Sequence, residues 1–385
     1  MIVYIKTQGL RIVKQGQHLL AKKGNDTYHT LFTYKLKQLV LFGNIEITHS
    51  ALCQLMRKNI DTVYLTKHGR YLGRIAAPES KNVFLHKKQF LLLDDDKLGL
   101  RMAKSIISGK LSNMATFLMR IKRSKNQPDA GRRAKQILGL LDKLANASSI
   151  DQARGYEGHG SAVYFKGLKL GFINNMGFEK RVRRPPTDPV NAVLSLLYTF
   201  LMNRVYAGVR IAGLNPYPGF LHTIDYGRYS LVLDLMEEFR SIIVDTLTIS
   251  LFNLKILQTD DFQIKKLDKK VDKKNDIQPE FPDVSKDPIG MISMKNSDAD
   301  CFDMPEQQID TLPWINQSSG GYPVRLKGNA FQRVLDAFEK KLSTRFYYPP
   351  AACELSYGDA IIYQARHYRK IIEGEIEQYQ PILLK

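Results

Sequence analysis

Residues 84–107, FLHKKQFLLLDDDKLGLRMAKSII, mark a change in how apolar residues are spaced along this chain. From here onward they recur at intervals of three and four, the period of one face of an α-helix. Six later segments show the same spacing and predict a large helical domain with little strand. They are residues 114–121, 134–144, 189–209, 230–257, 330–342 and 359–378.

The residues before position 80 follow a different pattern. Short runs rich in β-branched and aromatic residues alternate with glycines, which is typical of strands and turns. These runs are residues 3–5, 10–13, 18–20, 34–40 and 62–65. Residues 50–57 are predicted to form one short helix with Ser50 near its N-cap.

The two patterns together predict an α+β fold class. A small, mostly antiparallel, β-rich N-terminal domain is expected at 1–80, with a linker at 76–81. A large all-α domain is expected at 81–385. Residues 264–320 interrupt the helical pattern, because they combine five prolines with 8 lysines and 11 acidic residues and show no apolar stripe. A long loop insertion is the expectation there.

The charge of the chain is unusual. It has 57 Lys and Arg residues against 38 Asp and Glu residues, a net charge of +19. Such a field attracts polyanions, and nucleic acid and an anionic membrane surface are the two candidates. Residues 1–85 and 86–145 each carry a net +9. A charge spread this widely suits a long duplex better than a membrane, where basic residues form one compact run.

Compartment and membrane signals are weak. Cys53, Cys301 and Cys353 lie far apart without a CxxC pair, which disfavours structural zinc and favours a reducing, cytoplasmic location. The first residues lack the order of a signal peptide. The apolar runs, such as residues 192–202, are predicted to fall short of the ~20 residues that span a bilayer.

The most informative segment for chemistry is LDLMEEFR at 233–240. On a helix, Asp234, Glu237 and Glu238 would share one face. Clustered carboxylates repel one another unless a cation lies between them, and oxygen-rich sets favour Mg²⁺ or Mn²⁺. The alternative is an acidic surface patch that Arg240 partly neutralises.

Two further residues could complete a metal site. His222 follows the turn-rich stretch NPYPGFL at 215–221, which gives the imidazole a defined place before the acidic helix. Glu157 lies in GYEGHGSA at 155–162, where small neighbours allow close approach, and His159 is a second ligand by type. The alternatives are an ordinary core or surface histidine and a turn carboxylate.

Carboxylates with one imidazole suit phosphodiester chemistry. A metal ion can polarise a phosphoryl oxygen and lower the pKa of an attacking hydroxyl, and the imidazole favours Mn²⁺ over Mg²⁺. The basic run KRVRRPP at 180–186 could clamp a phosphate backbone or could be a solvated loop. The candidate DNA contacts are Arg181, Arg183, Arg184, Asn191 and Arg240. Residues 122–125 and 132–133 are further phosphate candidates.

Taken in order, these motifs resemble the catalytic subunit of CRISPR spacer acquisition, the first family of the CRISPR-associated series. The matching residues are GYEG at 155–158, Tyr164-Phe165, RPPTDPVNA at 184–192, GFLH at 219–222, SLVLDLMEEFR at 230–240, Asp245 and Asp261-Phe262. The resemblance spans roughly residues 1–263 and 321–370. Most relatives lack a segment like 264–320.

The resemblance implies a metal-dependent DNA endonuclease and integrase active in antiviral defence. It implies Glu157, His222 and Glu237 as ligands of Mg²⁺ or Mn²⁺, with Asp234 in support, and leaves open whether Asp234 or Glu237 is the direct ligand. The 3′-hydroxyl ends of short captured DNA would attack a CRISPR array by transesterification. The expected assembly is a homodimer formed through the β domains, bound to double-stranded DNA and a small ferredoxin-like CRISPR adaptation protein.

Two other functions fit the same residues. A nucleic-acid-binding scaffold without catalysis would share the charge, and the acidic helix would then be a surface feature. A structure-specific repair nuclease would share the site and differ in substrate.

Overall fold

The computed structural model describes residues 2–66, 71–75, 82–182, 185–264 and 324–384. In the N-terminal part of these ranges the chain forms eight strands and one helix. They are β1 (Ile2–Ile5), β2 (Arg11–Gln15), β3 (His18–Lys23), β4 (Asp26–Phe32), β5 (Gln38–Phe42), β6 (Glu46–Ile47), α1 (His49–Arg57), β7 (Asp61–Leu65) and β8 (Tyr71–Ile75). The predicted linker at 76–81 lies outside the described residues.

The strands form two four-stranded sheets, ordered β4-β3-β2-β6 and β1-β5-β7-β8. The β1-β5, β5-β7 and β2-β6 pairs are parallel, whereas β2-β3, β3-β4 and β7-β8 are antiparallel. The prediction of a mostly antiparallel domain is therefore wrong. The sequence QLVLF of β5 is buried at every position, as expected of a parallel strand covered on both faces.

Two local boundaries also differ from the prediction. The strand predicted at 34–40 begins at Gln38, because the residues before it form turns. Helix α1 begins at His49, and its N-cap is Thr48, whose hydroxyl accepts a hydrogen bond from the Ala51 amide. Ser50 lies inside the first turn.

The sheet β1-β5-β7-β8 separates two hydrophobic cores. Along β5, Leu39 and Leu41 belong to the small core shared with α1, while Val40 and Phe42 belong to the large helical core. This alternation follows from the two-residue period of a strand. The ring of Phe42 lies 5.0 Å from that of Phe331, so the strand-rich region packs directly on the helices.

The remaining described residues are mainly helical. The helices are α2 (Val83–Leu91), α3 (Asp96–Lys125), α4 (Pro128–Ala145), α5 (Ile150–Leu168), α6 (Pro189–Ile211), α7 (Ser230–Phe239), α8 (Thr246–Asn253), α9 (Gly328–Ser343) and α10 (Tyr357–Glu373). A π-helical segment, Arg240–Asp245, joins α7 to α8. Residues 84–107 belong to two helices, α2 and α3. The chain starts a new helix there because the Asp95 side chain accepts a hydrogen bond from the Leu98 amide at 2.9 Å and so caps the N-terminus of α3.

The helical region is not all-α as predicted. Two antiparallel pairs occur, β9 (Phe262–Ile264) with β10 (Val324–Leu326) and β11 (Arg345–Tyr348) with β12 (Cys353–Ser356). The first pair brackets the predicted insertion at 264–320, and residues 265–323 lie outside the described residues. A closed pair at its base means that the chain can carry this segment without separating α8 from α9.

Helix α6 has 23 residues and is long and apolar enough to cross a membrane. The prediction that apolar runs fall short of that length is wrong for this helix. However, 72% of its most apolar window is buried inside the protein, and Val193, Leu197 and Leu201 are fully buried. It is the core helix against which the catalytic candidates on α7 pack.

Candidate active site

Asp234 organises the loop that precedes α7. It is fully buried and accepts backbone hydrogen bonds from Phe220, Leu221 and His222 at 2.7, 2.9 and 2.9 Å. Its Oδ1 also lies 2.7 Å from Nδ1 of His222. A carboxylate that accepts this bond keeps the proton on Nδ1 and leaves the Nε2 lone pair free.

Gly219 allows this loop to lie against α7. A Cβ atom at this position would lie 2.6 Å from the Ser230 carbonyl carbon and 2.7 Å from Oδ2 of Asp234. Such contacts are far inside van der Waals distance, so a larger residue would push the loop away. The position of His222 therefore depends on the glycine three residues before it.

Glu237 lies one helical turn after Asp234 and is almost wholly buried. Its Oε1 is 3.1 Å from Nε of Arg240 and 3.8 Å from Nε2 of His222. Its Oε2 lies 2.5 Å from Nζ of Lys110, which comes from α3. The structure thus brings together the histidine and the acidic helix that the sequence analysis paired.

Glu157 lies in the middle of α5, so the alternative of a turn carboxylate is wrong. Its Oε1 accepts a hydrogen bond from Ser161 at 2.9 Å and also forms an ion pair with Lys110. A Cβ atom at Gly160 would lie 2.4 Å from the Leu111 side chain. This glycine lets α5 lie close to α3, which brings Glu157 within reach of Lys110.

Lys110 therefore lies between the carboxylates of two helices. Burial raises the pKa of Glu157, but the Lys110 ammonium outweighs it and holds the pKa below the usual range. Burial likewise raises the pKa of Glu237, but the charges of Arg240 and Lys110 outweigh burial and lower that pKa to about 2. Both carboxylates are ionised at neutral pH, and the Lys110 ammonium balances this pair, of which Glu237 is buried and Glu157 partly exposed.

The donor set fits a divalent metal ion. Two ionised carboxylates from different helices meet at Lys110, and Nε2 of His222 lies 3.8 Å from the other oxygen of Glu237. No group of three His, Cys, Asp or Glu residues in the described ranges already has the spacing of a metal site. The Lys110 ammonium lies where the two carboxylates meet, so a metal bound by both would have to displace it.

Asp234 and Glu237 have different surroundings. Both oxygens of Asp234 are fully engaged by the loop and by the imidazole. Glu237 instead directs its carboxylate toward His222 and Lys110. This geometry favours Glu237 over Asp234 as the direct ligand.

Glu238 does not share a site with its neighbours, contrary to the prediction from helical spacing. It accepts hydrogen bonds from Tyr379 Oη at 2.5 Å, from Gln364 at 3.0 Å and from the Ile382 amide at 2.6 Å. Burial raises its pKa to about 7. The alternative of an acidic surface patch is also wrong, because every residue of α7 is buried.

Two residues that the sequence analysis did not single out complete this centre. Lys110 carried no signal, because one lysine on an amphipathic helix is usually solvated. Asn113, one turn further along α3, donates to the carbonyls of Glu238 and Ile382 at 3.0 and 2.9 Å. It fixes α3 against α7 and the C-terminal segment, which keeps Lys110 near Glu237.

The candidate DNA contacts have unequal positions. Asn191 is fully buried; it donates to the Lys180 carbonyl and accepts from Val182 and Arg181 at 2.9–3.0 Å. It holds the loop in place, so a direct DNA contact by Asn191 does not fit the structure. The Arg181 guanidinium donates a hydrogen bond to Oγ of Ser195 at 3.0 Å. Arg240 pairs with Glu237. Arg183 and Arg184 lie outside the described residues.

The chain is therefore a two-part α+β protein, in which a strand-rich N-terminal region packs on a helical region that carries a His–Glu–Glu cluster. The family model "CRISPR associated protein Cas1" matches residues 3–275, more than half of the chain. The chain belongs to the Cas1 family, which confirms the resemblance drawn from the motifs.

Curated relatives carry the same family name. A protein of Thermus thermophilus named "CRISPR-associated endonuclease Cas1 3" is 27% identical over 100% of this chain and 97% of its own length. A protein of Rhodospirillum rubrum named "CRISPR-associated endonuclease Cas1 2" is 33% identical over 68% of this chain and 78% of its own length.

Solved structures share the fold. The Cas1 protein of Thermotoga maritima has a TM-score of 0.74 and 18% identity, with 100% of both chains covered. A "casposase bound to integration product" has a TM-score of 0.74 and 20% identity, with 98% of this chain and 92% of that chain covered. A "Cas6-RT-Cas1--Cas2 complex" has a TM-score of 0.75 and 22% identity, and this chain spans only 36% of that longer chain.

Proposed function

We propose that this chain is a metal-dependent DNA endonuclease and integrase. It joins the 3′-hydroxyl ends of short captured DNA into a CRISPR array by transesterification. The observation that carries the proposal is the convergence of Glu157 and Glu237, from two different helices, on the Lys110 ammonium, with Nε2 of His222 3.8 Å from the other oxygen of Glu237. Bringing two ionised carboxylates together in a protein interior is costly unless a cation offsets their charge, and here Lys110 supplies that cation.

Each residue has a defined part. Glu157, His222 and Glu237 would hold Mg²⁺ or Mn²⁺, and the imidazole favours Mn²⁺. The bound metal would supply charge stabilisation at the phosphoryl oxygen and lower the pKa of the attacking hydroxyl. Asp234 keeps the proton of His222 on Nδ1 and so presents the unprotonated Nε2 to the site. Arg240 partly offsets the charge of Glu237.

The proposed partners follow from the charge and from the similar proteins. A net charge of +19 suits double-stranded DNA, and one similar structure is described as bound to an integration product. Another contains Cas1 with Cas2, which supports a small CRISPR adaptation protein as partner, for which we keep the expectation of a ferredoxin-like fold. A homodimer through the strand-rich region and a prokaryotic cytoplasmic location complete the proposal.

A strand-transfer assay tests this function. A short duplex with free 3′-hydroxyls and a plasmid carrying a CRISPR leader and repeat are incubated with Mn²⁺ and the small partner. We expect joined product from the wild type and a loss of at least about a hundredfold in Glu157→Gln, in line with removal of a group that acts in the transition state. Glu179→Gln, an exposed carboxylate paired with Lys169, is the control and should retain activity.

The alternatives predict other outcomes. A non-catalytic scaffold would bind both DNAs tightly and give no product with any variant. A repair nuclease would hydrolyse branched DNA in the presence of the same metal ion. It would give no joined product even when the small partner protein is present.

A further inference from the structure

A basic groove of about 440 Å³ runs between α4 and α5. Its walls carry five side chains that are basic or can become so, and the lining contains no carboxylate. They are Arg133, Lys135, Lys143, His159 and Lys166. Arg132 and Arg133 are phosphate candidates by sequence, and the proposed active site makes no use of them.

The lysines of this groove are available for a ligand. Arg133 pairs with Asp129 at 3.0 Å, but Lys135, Lys143 and Lys166 form no ion pair within the described residues and are exposed. Three unpaired ammonium groups around one concavity repel one another. An anion in the groove would relieve that repulsion.

The shape of the groove suits a linear polyanion. Lys135 and Lys143 lie eight residues apart on one face of α4, a distance of about 12 Å along the helix. Between them lies Gly139, where a Cβ atom would meet nothing within 4 Å. Glycine in a helix interior costs about 1 kcal/mol relative to alanine, and no packing contact requires it here. Without a side chain at Gly139, the bottom of the groove is open, so the backbone of a polyanion can come close to α4.

The groove lies away from the catalytic centre on the same helix. Lys166 follows Glu157 by nine residues, and at 100° per residue its side chain leaves α5 on the opposite side. Gly160 packs against α3 and Leu140 of α4, between the two faces. A ligand in the groove is therefore about one helix diameter, roughly 10 Å, from the carboxylates.

We propose that this groove binds the sugar-phosphate backbone of a duplex DNA arm that flanks the reacting phosphate. The inference rests on the proposed function, because it supplies the second contact that holds a long DNA beside the catalytic helix. A concave line of separated cations matches a row of phosphates, whereas a membrane surface requires a flat or convex basic face. The groove reads charge and shape and makes no contact with base edges.

The test compares two triple variants. The first variant, the groove triple, reverses the charge of the groove lysines and consists of Lys135→Glu, Lys143→Glu and Lys166→Glu. The control, Lys87→Glu, Lys340→Glu and Lys370→Glu, makes the same charge change at exposed lysines on α2, α9 and α10. Fluorescence anisotropy measures the affinity of each for a long duplex across a salt series. Thermal melting followed by circular dichroism establishes that both triple variants are folded. If the Lys→Glu groove triple is not folded, a triple with Lys→Gln at the same three positions replaces it.

We expect the groove triple to bind the long duplex at least about tenfold more weakly than the control triple. Its slope of log affinity against log salt should be shallower by about 0.9 for each lost phosphate contact. Equal affinities for the two triples would overturn the inference.

A second substrate separates this inference from the proposed function. A short branched DNA that ends near the reacting phosphate does not reach the groove, so the groove triple should process it at the wild-type rate. If the wild type itself leaves this substrate unchanged, the proposed function fails. The binding comparison of the two triples then still tests whether the groove binds DNA. A loss on the short substrate equal to that on the long one would contradict a flanking contact.

Discussion

Lys110 is the residue that most affects how the site can be understood. Its side chain is about 7% exposed and touches a carboxylate of α5 and one of α7. An ammonium in that position neutralises the two anions when no metal is bound. It also competes for the same oxygens, because a metal bound by Glu157 and Glu237 requires the ammonium to move.

Replacing this lysine should have opposite effects on the metal-free and metal-bound protein. Lys110→Met removes the cation shared by Glu157 and Glu237 and leaves Glu237 paired with Arg240 alone, which should reduce the free energy of unfolding by about 3 kcal/mol. The same change removes the competitor, so Mn²⁺ should raise the melting temperature of the variant more than that of the wild type. Thermal melts with and without Mn²⁺ measure both effects.

A matched control is available on the same helix. Lys104→Met removes an ammonium that donates to the Ala145 carbonyl at 2.8 Å and touches neither carboxylate. It should leave the Mn²⁺ shift unchanged. If Lys110→Met loses the Mn²⁺ shift, the lysine assists metal binding and the competition argument is wrong.

At the scale of elements, the π-helical segment that follows α7 connects three helices. Its last residue, Asp245, accepts hydrogen bonds from Tyr164 on α5 and Tyr198 on α6 at 2.7 and 2.6 Å. The ring of Tyr198 also lies 4.9 Å below the guanidinium of Arg240. This buried connection keeps the helix that carries Glu157 in register with the helix that carries Glu237.

Asp245 gives the stability of the protein a distinct pH dependence. Burial raises its pKa to about 6, so the folded state holds this proton more tightly than the unfolded state does. Its contribution is complete below about pH 4 and is lost as the pH rises through about 6, a change of about 3 kcal/mol at most. Asp245→Asn cannot titrate, so its free energy of unfolding should fall less over this range.

Urea unfolding at intervals from pH 4 to pH 7 makes the comparison. The difference between the wild-type and Asp245→Asn curves isolates this carboxyl from all other groups. Parallel curves would show that Asp245 titrates alike in the folded and unfolded states, and would remove the argument for a buried, protonated connection.

The sequence predicted those elements whose residues lie close along the chain. The turn-rich segment before α7 and the acidic helix are neighbours in sequence, so His222 and Glu237 could be paired from spacing alone. The directions in which the Asp234 and Glu238 side chains point could not be predicted. The loop at Gly219 donates hydrogen bonds to Asp234, and the C-terminal segment donates to Glu238, and helical spacing shows neither contact. Lys110 was missed because it meets Glu157 only after α3 and α5 pack.

At the scale of the whole molecule, the division into a strand-rich and a helical region followed from the change in apolar period near residue 83. The mixed pairing of the sheets did not, because parallel neighbours such as β1 and β5 depend on contacts between distant segments. The short pairs β9–β10 and β11–β12 are only three or four residues long. Runs of that length carry little periodic signal beside long helices.

The central claim is that Glu157, His222 and Glu237, brought together from separate parts of the fold, hold one divalent metal. Electron paramagnetic resonance of Mn²⁺ titrated into the protein without DNA tests it most directly, because a coordinated imidazole couples its nitrogen to the metal. We expect one bound Mn²⁺ per chain with nitrogen coupling in the wild type, and loss of that coupling with weaker binding in His222→Ala. Mn²⁺ bound with the same affinity and the same spectrum in His222→Ala would contradict the account.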